Sequence, residues 1–240
     1  MKKTTISAIL ALTVLSCLTA SAQWRAGIQA GYTHNWLYTE SGYFYTRTYE
    51  PRGGFSIGVP VQYEFEDWFA LQAEVSYIQK NYRMQRTGFY SPLHENMTNH
   101  YLSIPVLAHF SFGGDHLRGF LNAGFYAGGW LASRRQGAAL TSFGDYTEYD
   151  YPVESVESLG ALYYYDEKYQ FNSTRDNRFE AGAAVGAGLQ YEINDLLTVL
   201  AECRYYYSLT DLQKDYMKMQ VPRYLNTMLV QIGLLITLDD

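Results

Sequence analysis

The stretch FEAGAAVGAGLQYEINDLLTVLAECRYYYSLTDL, from Phe179 to Leu212, decides the fold of this chain. In its first half every second residue is apolar, and the residues between are small or polar. This period of two is that of a β-strand whose side chains point alternately to two faces. A turn at Asn194 and Asp195 joins it to a second strand of the same pattern. The apolar face carries aromatic residues at its ends, as a lipid-facing strand does, so we expect a transmembrane β-barrel.

Six other stretches share this alternation. They begin near Trp24, Phe55, Phe69, Leu102, Leu121 and Tyr224. Together with the hairpin they predict an all-β, eight-stranded antiparallel transmembrane β-barrel. Pro60 and Pro105 fall within two of the strands, and because proline lacks a ladder donor they predict local bulges or irregular pairing.

The connections alternate between short and long. Short turns lie near Glu66, Gly114 and Asn194. The long connections span 38–53, 83–99, 132–178 and 211–223. Bacterial barrels keep short turns in the periplasm, so we expect the long loops outside the cell.

A soluble lipocalin-like barrel is the alternative, because it also has eight alternating strands, with the apolar face inside. The polar face here is rich in glycine and glutamate, which suits a narrow lumen, and the long loops lie at one end only. Only Cys203 would remain after leader removal, so the disulfides usual in a lipocalin cannot form. These features favour the membrane barrel.

The first 22 residues read as a signal peptide, with Lys2 and Lys3 before an apolar segment and Ala20-Ser21-Ala22 at its end. Residues 23–240 would then form the outer-membrane barrel domain. Lipidation at Cys17 is the alternative processing reaction. No later stretch has the continuous apolar length of a spanning helix. The net charge of −6 argues against a nucleic-acid partner.

Three segments resemble a known family: LSIPVLAHFSF (102–112), RGFLNAGFYAG (118–128) and VGAGLQYEINDLLTVLAECRYYYSLTDL (185–212). They are similar to the PorT-like small outer-membrane barrel proteins, the porin family of Bacteroidetes. The family's pattern positions are occupied here by Gly186, Gly188, Glu202, Arg204, Tyr205, Leu209, Thr210 and Asp211. The resemblance implies the barrel architecture. The family members that have an assigned role suggest, as a function for this chain, a part in protein secretion or surface assembly.

The last strand resembles the signal read by the barrel-insertion machinery, which would be a partner during biogenesis. Polar Gln231 is followed by Gly233 and by apolar Ile236 and Leu238. It departs from the pattern by ending on two aspartates instead of an aromatic residue.

The inward face predicts a network of charged side chains in the lumen. Its members are Glu64, Glu74, His109, Glu180, Glu192, Glu202 and Arg204. In one interpretation Arg204 bridges neighbouring glutamates and plugs the barrel; in the other the charges line a narrow ion path or gate. An eight-stranded barrel is barely wide enough for its own side chains, so a general diffusion pore is not expected.

The loop 132–178 is the second candidate site. It interleaves carboxylates with Tyr146, Tyr149, Tyr151, Tyr163, Tyr164 and Tyr165. Tyrosine gives a large contact area at low entropic cost, which suits recognition of an extracellular protein or glycan. The alternative is a plain extension of the strands. No Asp-x-Asp-x-Asp-Gly motif is present, so we predict no metal or cofactor.

No catalytic residues are predicted. His34 and His100 fall at outer strand ends, but neither has an evident serine and acid partner on a neighbouring strand. We therefore expect a non-enzymatic protein of the outer membrane, in contact with its lipid, with an interaction or envelope-assembly role. A component supporting secretion, a narrow channel and a lipid-modifying enzyme are the alternatives.

Overall fold

The computed structural model describes residues 23–39, 47–140, 153–156, 160–215 and 220–238. The strands, in chain order, are β1 (Gln23–Thr39), β2 (Arg47–Glu66), β3 (Phe69–Gln79), β4 (Tyr82–Arg86), β5 (His94–Gly113), β6 (Leu117–Leu140), β7 (Val153–Val156), β8 (Gly160–Lys168), β9 (Phe179–Asn194), β10 (Leu197–Ser208) and β11 (Arg223–Leu238). One turn of 3₁₀ helix spans Gly88–Tyr90. Across these ranges no helix has the length and apolar character needed to cross a bilayer. The signal peptide predicted for residues 1–22 lies outside the described residues.

The strands close into a ring. β1 pairs with β2 on one side and with β11 on the other, and antiparallel pairing continues through β10, β9, β6, β5 and β3 back to β2. β4 prolongs β3 after Lys80 and Asn81 and pairs with the same two neighbours. β3 and β4 therefore act as one wall strand, and the predicted eight-stranded barrel is confirmed.

The apolar face of each strand points outward, as predicted. Phe125 and Ile232 are 72% and 69% exposed, whereas Glu202 and Arg204 on the opposite face are 3% and 0% exposed. An exposed apolar surface of this kind belongs in lipid, not in water. The lipocalin alternative, with its apolar face inside, does not describe this barrel.

Aromatic side chains mark both ends of the lipid-facing belt. We call the end with the turns after β2, β5 and β9 the turn end, and the opposite end the loop end. At the turn end the rings of Trp24 and Tyr63 lie 4.7 Å apart, and at the loop end those of Trp36 and Tyr205 lie 5.8 Å apart. Such rings sit at the headgroup level of a membrane.

Pro60 and Pro105 interrupt the ladders without shifting the register. The pairs opposite Pro60 on β1 and opposite Pro105 on β3 are absent, while the flanking pairs keep one register. The register shifts lie elsewhere, next to Glu64, Tyr101 and Leu197. The predicted bulge or irregular pairing at each proline is therefore confirmed as irregular pairing, since the ladder resumes beyond the missing donor in the same register.

The wall continues past the belt at the loop end. There β2, β4, β5 and β6 are joined by β8 and β7 into a sheet of order β2-β4-β5-β6-β8-β7, which we call the outer sheet. It occupies much of 47–53, 83–99 and 132–168, where the sequence predicts loops. That prediction is wrong because a sheet beyond the bilayer has no lipid-facing residues, so it can pair without the regular alternation of a spanning strand, although Leu93, Leu140 and Leu162 are buried together on one of its faces.

Candidate functional site

Arg204 lies in the barrel interior with its side chain fully excluded from solvent. Its Nη1 donates to Glu74 Oε2 at 2.8 Å, and its Nη2 and Nε donate to the two oxygens of Glu202 at 2.7 and 3.0 Å. β10 and β3 stand on opposite walls of the ring, so the pair of Arg204 and Glu74 crosses the lumen. Two charge-assisted contacts offset the cost of burying the guanidinium.

Two wall glycines make room for these carboxylates. A Cβ on Gly58 would lie 2.7 Å from Glu74 Oε1, and a Cβ on Gly186 would overlap Glu202 Oε1. The close approach of a carboxylate to the backbone requires the absence of a side chain at both positions. The inward-facing glycines therefore leave space for large charged side chains on the neighbouring strands.

Glu202 also accepts hydrogen bonds from neutral side chains. Asn122 Nδ2 and Gln231 Nε2 each donate to it at 2.8 Å. Asn122 Oδ1 in turn lies 2.8 Å from His109 Nδ1, and His109 Nε2 lies 3.0 Å from Ser111 Oγ. The network thus extends from the centre of the lumen toward the turn end.

The chain Ser111–His109–Asn122 has the order of a nucleophile, a base and an orienting amide. Its surroundings are those of a packed interior: Ser111 is 7% exposed, and the ring of Phe120 lies 4.8 Å from that of His109. A buried imidazole needs partners for both nitrogens, and this arrangement supplies them. We interpret it as a structural hydrogen-bond chain.

A second group of charges closes the lumen near the turn end. Arg25 lies 3.1 Å from Glu64 and 3.3 Å from Glu192. All three side chains keep some solvent contact, with exposures of 11% to 24%. The group therefore lies at the mouth of the interior, where solvent reaches the charges.

A third group lies toward the loop end. Lys80 Nζ is 2.7 Å from Glu180 Oε1, and its side chain is completely buried. The Tyr126 hydroxyl donates to the same oxygen at 3.2 Å. The ammonium also lies 5.0 to 5.6 Å from the ring centroids of Tyr101, Tyr126 and Tyr206, within the range of cation–π attraction.

The seven predicted lumen residues thus lie in three groups instead of one network. Arg204 joins Glu74 and Glu202, and His109 reaches this group through Asn122. Glu64 and Glu192 belong to the group around Arg25, and Glu180 belongs to the group around Lys80.

Two cations, Arg25 and Lys80, complete these groups and were missing from the sequence prediction. Arg25 stands on the polar face of its predicted strand and could have been included. Lys80 continues the inward alternation after Ser76 and Ile78. Because Ile78 is apolar, the polar pattern of the inward face ends before Lys80 in the sequence.

Apolar layers fill the interior between and above the charges. Phe120, Leu200 and Leu235 pack together near the turn end. A second layer contains Ile78, Leu107, Tyr126, Ala184, Tyr206 and Leu229. Its six members come from six different wall strands, so the lumen is filled with side chains, as expected of so narrow a barrel.

The segments after β8 and β10 form a cap over the loop end. Tyr169 and Phe171 pack against Trp130, with ring centroids 5.7 and 4.9 Å from it. The Asn177 N–H donates to Leu212 O at 2.9 Å, which ties the two segments together. The cap therefore covers the aromatic layer at the loop end.

Asp176 organises the cap. Its carboxylate accepts hydrogen bonds from Arg175 Nε at 2.7 Å, from the Asn172 N–H at 2.7 Å and from the Tyr169 hydroxyl at 2.9 Å. Burial alone would raise the pKa of this carboxyl, but the three donors outweigh burial and the pKa lies below its ordinary value. The same environment raises the pKa of Tyr169 to about 12, through burial first and its bond to Asp176 second.

The outer sheet places the predicted tyrosines differently from the sequence expectation. Tyr163, Tyr164 and Tyr165 are consecutive residues of β8, so they alternate between two faces and cannot form one continuous surface. The Tyr165 hydroxyl donates to Glu95 at 3.0 Å, while Tyr164 is 38% exposed. Tyr146, Tyr149 and Tyr151 lie outside the described residues.

The carboxylates of β8 are paired with arginines of β6. Asp166 accepts from Arg134 at 2.5 and 2.7 Å and from Gln136 at 2.7 Å, and these hydrogen bonds hold the pKa of Asp166 below its ordinary value. Glu167 forms an ion pair with Arg135. This part of the expected acidic loop is therefore a sheet in which the charges balance. The reason is that β6 extends far enough to bring Arg134 and Arg135 opposite β8.

His34 and His100 lie on separate strands, as predicted. His34 is next to Trp36, and His100 Nδ1 contacts the Tyr77 hydroxyl. In the described ranges no three histidine, cysteine, aspartate or glutamate side chains are grouped so that they could hold a metal ion.

Comparisons with known proteins agree with this architecture. The family model "Outer membrane protein beta-barrel domain" matches residues 19–214. No curated protein matches the sequence.

Three solved structures are similar to this chain. Neisserial surface protein A has 16% identity over 90% of this chain and 99% of that chain, with a TM-score of 0.44. Ail of Yersinia pestis has 16% identity over 88% of this chain and 97% of that chain, with a TM-score of 0.40. OprG from Pseudomonas aeruginosa has 11% identity over 91% of this chain and 96% of that chain, with a TM-score of 0.45.

Proposed function

We propose that this chain, which belongs to the outer membrane β-barrel domain family and lies in the outer membrane, is a sealed, non-enzymatic protein that displays a rigid recognition surface outside the cell. Its partner would be an extracellular protein or a glycan. A signal peptide over residues 1–22 would direct the chain to export.

The outer sheet is the observation that carries this proposal. Its strands β2, β4, β5 and β6 continue the barrel wall, and β8 and β7 pair onto the edge of β6. Cross-strand ion pairs order its side chains, among them Arg134 with Asp166 and Arg135 with Glu167. A surface held by a ladder and by paired charges loses little conformational entropy when it binds a partner. Exposed Tyr164 adds an amphipathic contact residue on the same face as Asp166.

The filled lumen supports recognition over conduction. The ion pair of Arg204 and Glu74 crosses the interior, and apolar layers lie on both sides of it. An ion would have to displace a doubly paired, fully buried guanidinium, which is costly. We therefore place the narrow-channel alternative second.

The resemblance to the PorT-like proteins of Bacteroidetes supports an envelope-assembly or secretion partner over a host ligand. In that case the outer sheet would hold another surface protein during its assembly. Insertion itself would use the barrel-insertion machinery through the last strand, β11.

Photocrosslinking in living cells tests the proposal. A photoreactive phenylalanine analogue replaces Tyr164 on the outer sheet. In the control variant it replaces Tyr191, which is 50% exposed at the turn end. We expect a discrete crosslinked product from position 164 that is absent from position 191.

Products at neither position, or the same products at both, would contradict a recognition surface on the outer sheet. Protease added to whole cells gives the orientation. Cleavage within 132–178 that spares the turn at Asn194 is expected, and the reverse result would place the outer sheet in the periplasm.

A further inference from the structure

The outward surface at the loop end of β1, β10 and β11 contains a hollow of about 430 Å³. It is lined by Tyr38, Tyr207, Ser208, Leu209, Tyr224 and Asn226. We call it the tyrosine niche. It lies on the opposite side of the ring from β4 and β5, which carry the outer sheet.

The niche exists because two wall strands separate there. Pairing between β10 and β11 ends at Tyr206 and Thr227, whereas pairing between β1 and β11 continues to Arg223. Beyond that point the Ser208 N–H donates to the side-chain oxygen of Asn226 at 3.0 Å instead of to a backbone carbonyl. The inserted side chain holds the strands apart while satisfying the backbone donor.

The height of the niche is that of the lipid headgroups. Trp36 and Tyr205 stack on the lipid-facing surface immediately toward the membrane centre, next to His34. Tyr38 and Tyr207 at the niche are 53% and 50% exposed. Aromatic residues of this kind occupy the boundary between hydrocarbon and water.

The lining identifies the chemistry of an occupant. Among the described residues the lining includes no charged side chain, so it does not favour a phosphate or a carboxylate. Three phenol rings offer flat apolar faces with polar edges, and the buried residues Ser208 and Asn226 complete the lining. A saccharide ring has the matching character, because it combines an apolar face of C–H groups with a rim of hydroxyls.

A second hollow lies on the same strands at mid-membrane depth. Its volume is about 340 Å³, and its apolar lining includes Ile28, Ala30, Ile57, Val199, Ile232 and Leu234. Six residues of β11 separate Ile232 from Asn226, which is about 20 Å along a strand. A lipid lying along these strands would reach both hollows.

We propose that this face binds a glycolipid of the outer leaflet, with its sugar headgroup in the tyrosine niche and an acyl chain in the apolar hollow. The inference is independent of the partner on the outer sheet, because the tyrosine niche lies on β1, β10 and β11, which are not part of the outer sheet. A lipid bound here would fix the rotation of the barrel relative to its lipid neighbours.

Equilibrium binding to the delipidated, refolded protein in detergent tests the proposal. The probes are a fluorescent glycolipid with an uncharged sugar headgroup and a phosphatidylethanolamine with the same acyl chains and label. We expect the glycolipid to bind more tightly. Tyr207→Ser and Tyr224→Ser should each weaken that binding, roughly tenfold, because each removes a ring from the niche.

Tyr191→Ser is the matched control, since Tyr191 is an equally exposed belt tyrosine at the turn end. Its affinity for the glycolipid should equal that of the wild type. All variants are first checked for the heat-dependent gel mobility of a folded barrel. Equal binding of both lipids, or equal losses in Tyr207→Ser and Tyr191→Ser, would overturn the proposal.

Discussion

Arg204 and Glu74 are 130 residues apart in the chain and meet at 2.8 Å across the barrel, from opposite walls and with both side chains fully buried. The pair links two wall strands that share no backbone hydrogen bond. It therefore stabilises the barrel across its axis, in addition to the ladders around its circumference.

Removal of the guanidinium should destabilise the barrel strongly. In Arg204→Met two carboxylates lose their buried partner, at an expected cost of about 3–5 kcal/mol in the free energy of unfolding. Urea titration of the protein in lipid vesicles measures this value. Arg134→Met, which removes an exposed pair on the outer sheet, should stay close to the wild type, and equal losses in the two variants would contradict a special role for Arg204.

A methyl group at Gly186 should act on the same network from the wall. In Gly186→Ala the new Cβ overlaps Glu202 Oε1, so Glu202 must move away from Arg204, at a cost of about 1–3 kcal/mol. Gly129→Ala is the control, because the nearest atom to its Cβ would be 3.8 Å away. Urea midpoints of both variants are the measurement, and an unchanged midpoint in Gly186→Ala would show that Glu202 has room to move.

The cap should loosen in acid. The folded-state pKa of Asp176 lies below the ordinary 3.8, so its carboxylate stabilises the cap fully above about pH 5 and progressively less as the pH falls through the folded-state pKa. Hydrogen exchange of the peptide 169–178, corrected for the intrinsic rate, should show lower protection near pH 3 than at pH 6. In Asp176→Asn the protection should be low at both values, and a pH dependence that persists in this variant would assign the effect to another group.

The closed lumen predicts an electrically silent protein. Purified protein inserted in a planar bilayer should give no steady current, while a general porin in the same bilayer gives open-channel steps. Reproducible steps from the wild-type chain would favour the narrow-channel alternative. In that case Arg204→Met should change their size, since it removes the crossing side chain.

Ser111 should not react as a nucleophile. An activity-based fluorophosphonate should leave the folded protein unlabelled, because Ser111 is 7% exposed and the ring of His109 packs against Phe120. Labelling that disappears in Ser111→Ala and in His109→Ala would show an active serine and would contradict the non-enzymatic proposal.

The period of two predicted the strands, their number and their two faces, and the glycine- and glutamate-rich polar face together with the long connections at one end decided that the apolar face meets lipid. Alternation is a local property, so Phe125 and Ile232 could be placed outside and Glu202 and Arg204 inside without knowledge of their neighbours. Lipid imposes this alternation on every spanning strand, and only there. The outer sheet lies beyond the lipid and lacks this regular alternation, and its strands were for that reason predicted as loops.

Tertiary structure alone decided which inward residues meet. Arg204 lies beside Glu202 by sequence, but its contact with Glu74 depends on the order and stagger of all eight wall strands. The same holds for Lys80 with Glu180 and for the gap between β10 and β11 that forms the tyrosine niche. The sequence determines the face to which each side chain points, because that follows from backbone geometry, whereas contacts across a lumen follow from closure of the ring, which no single strand encodes.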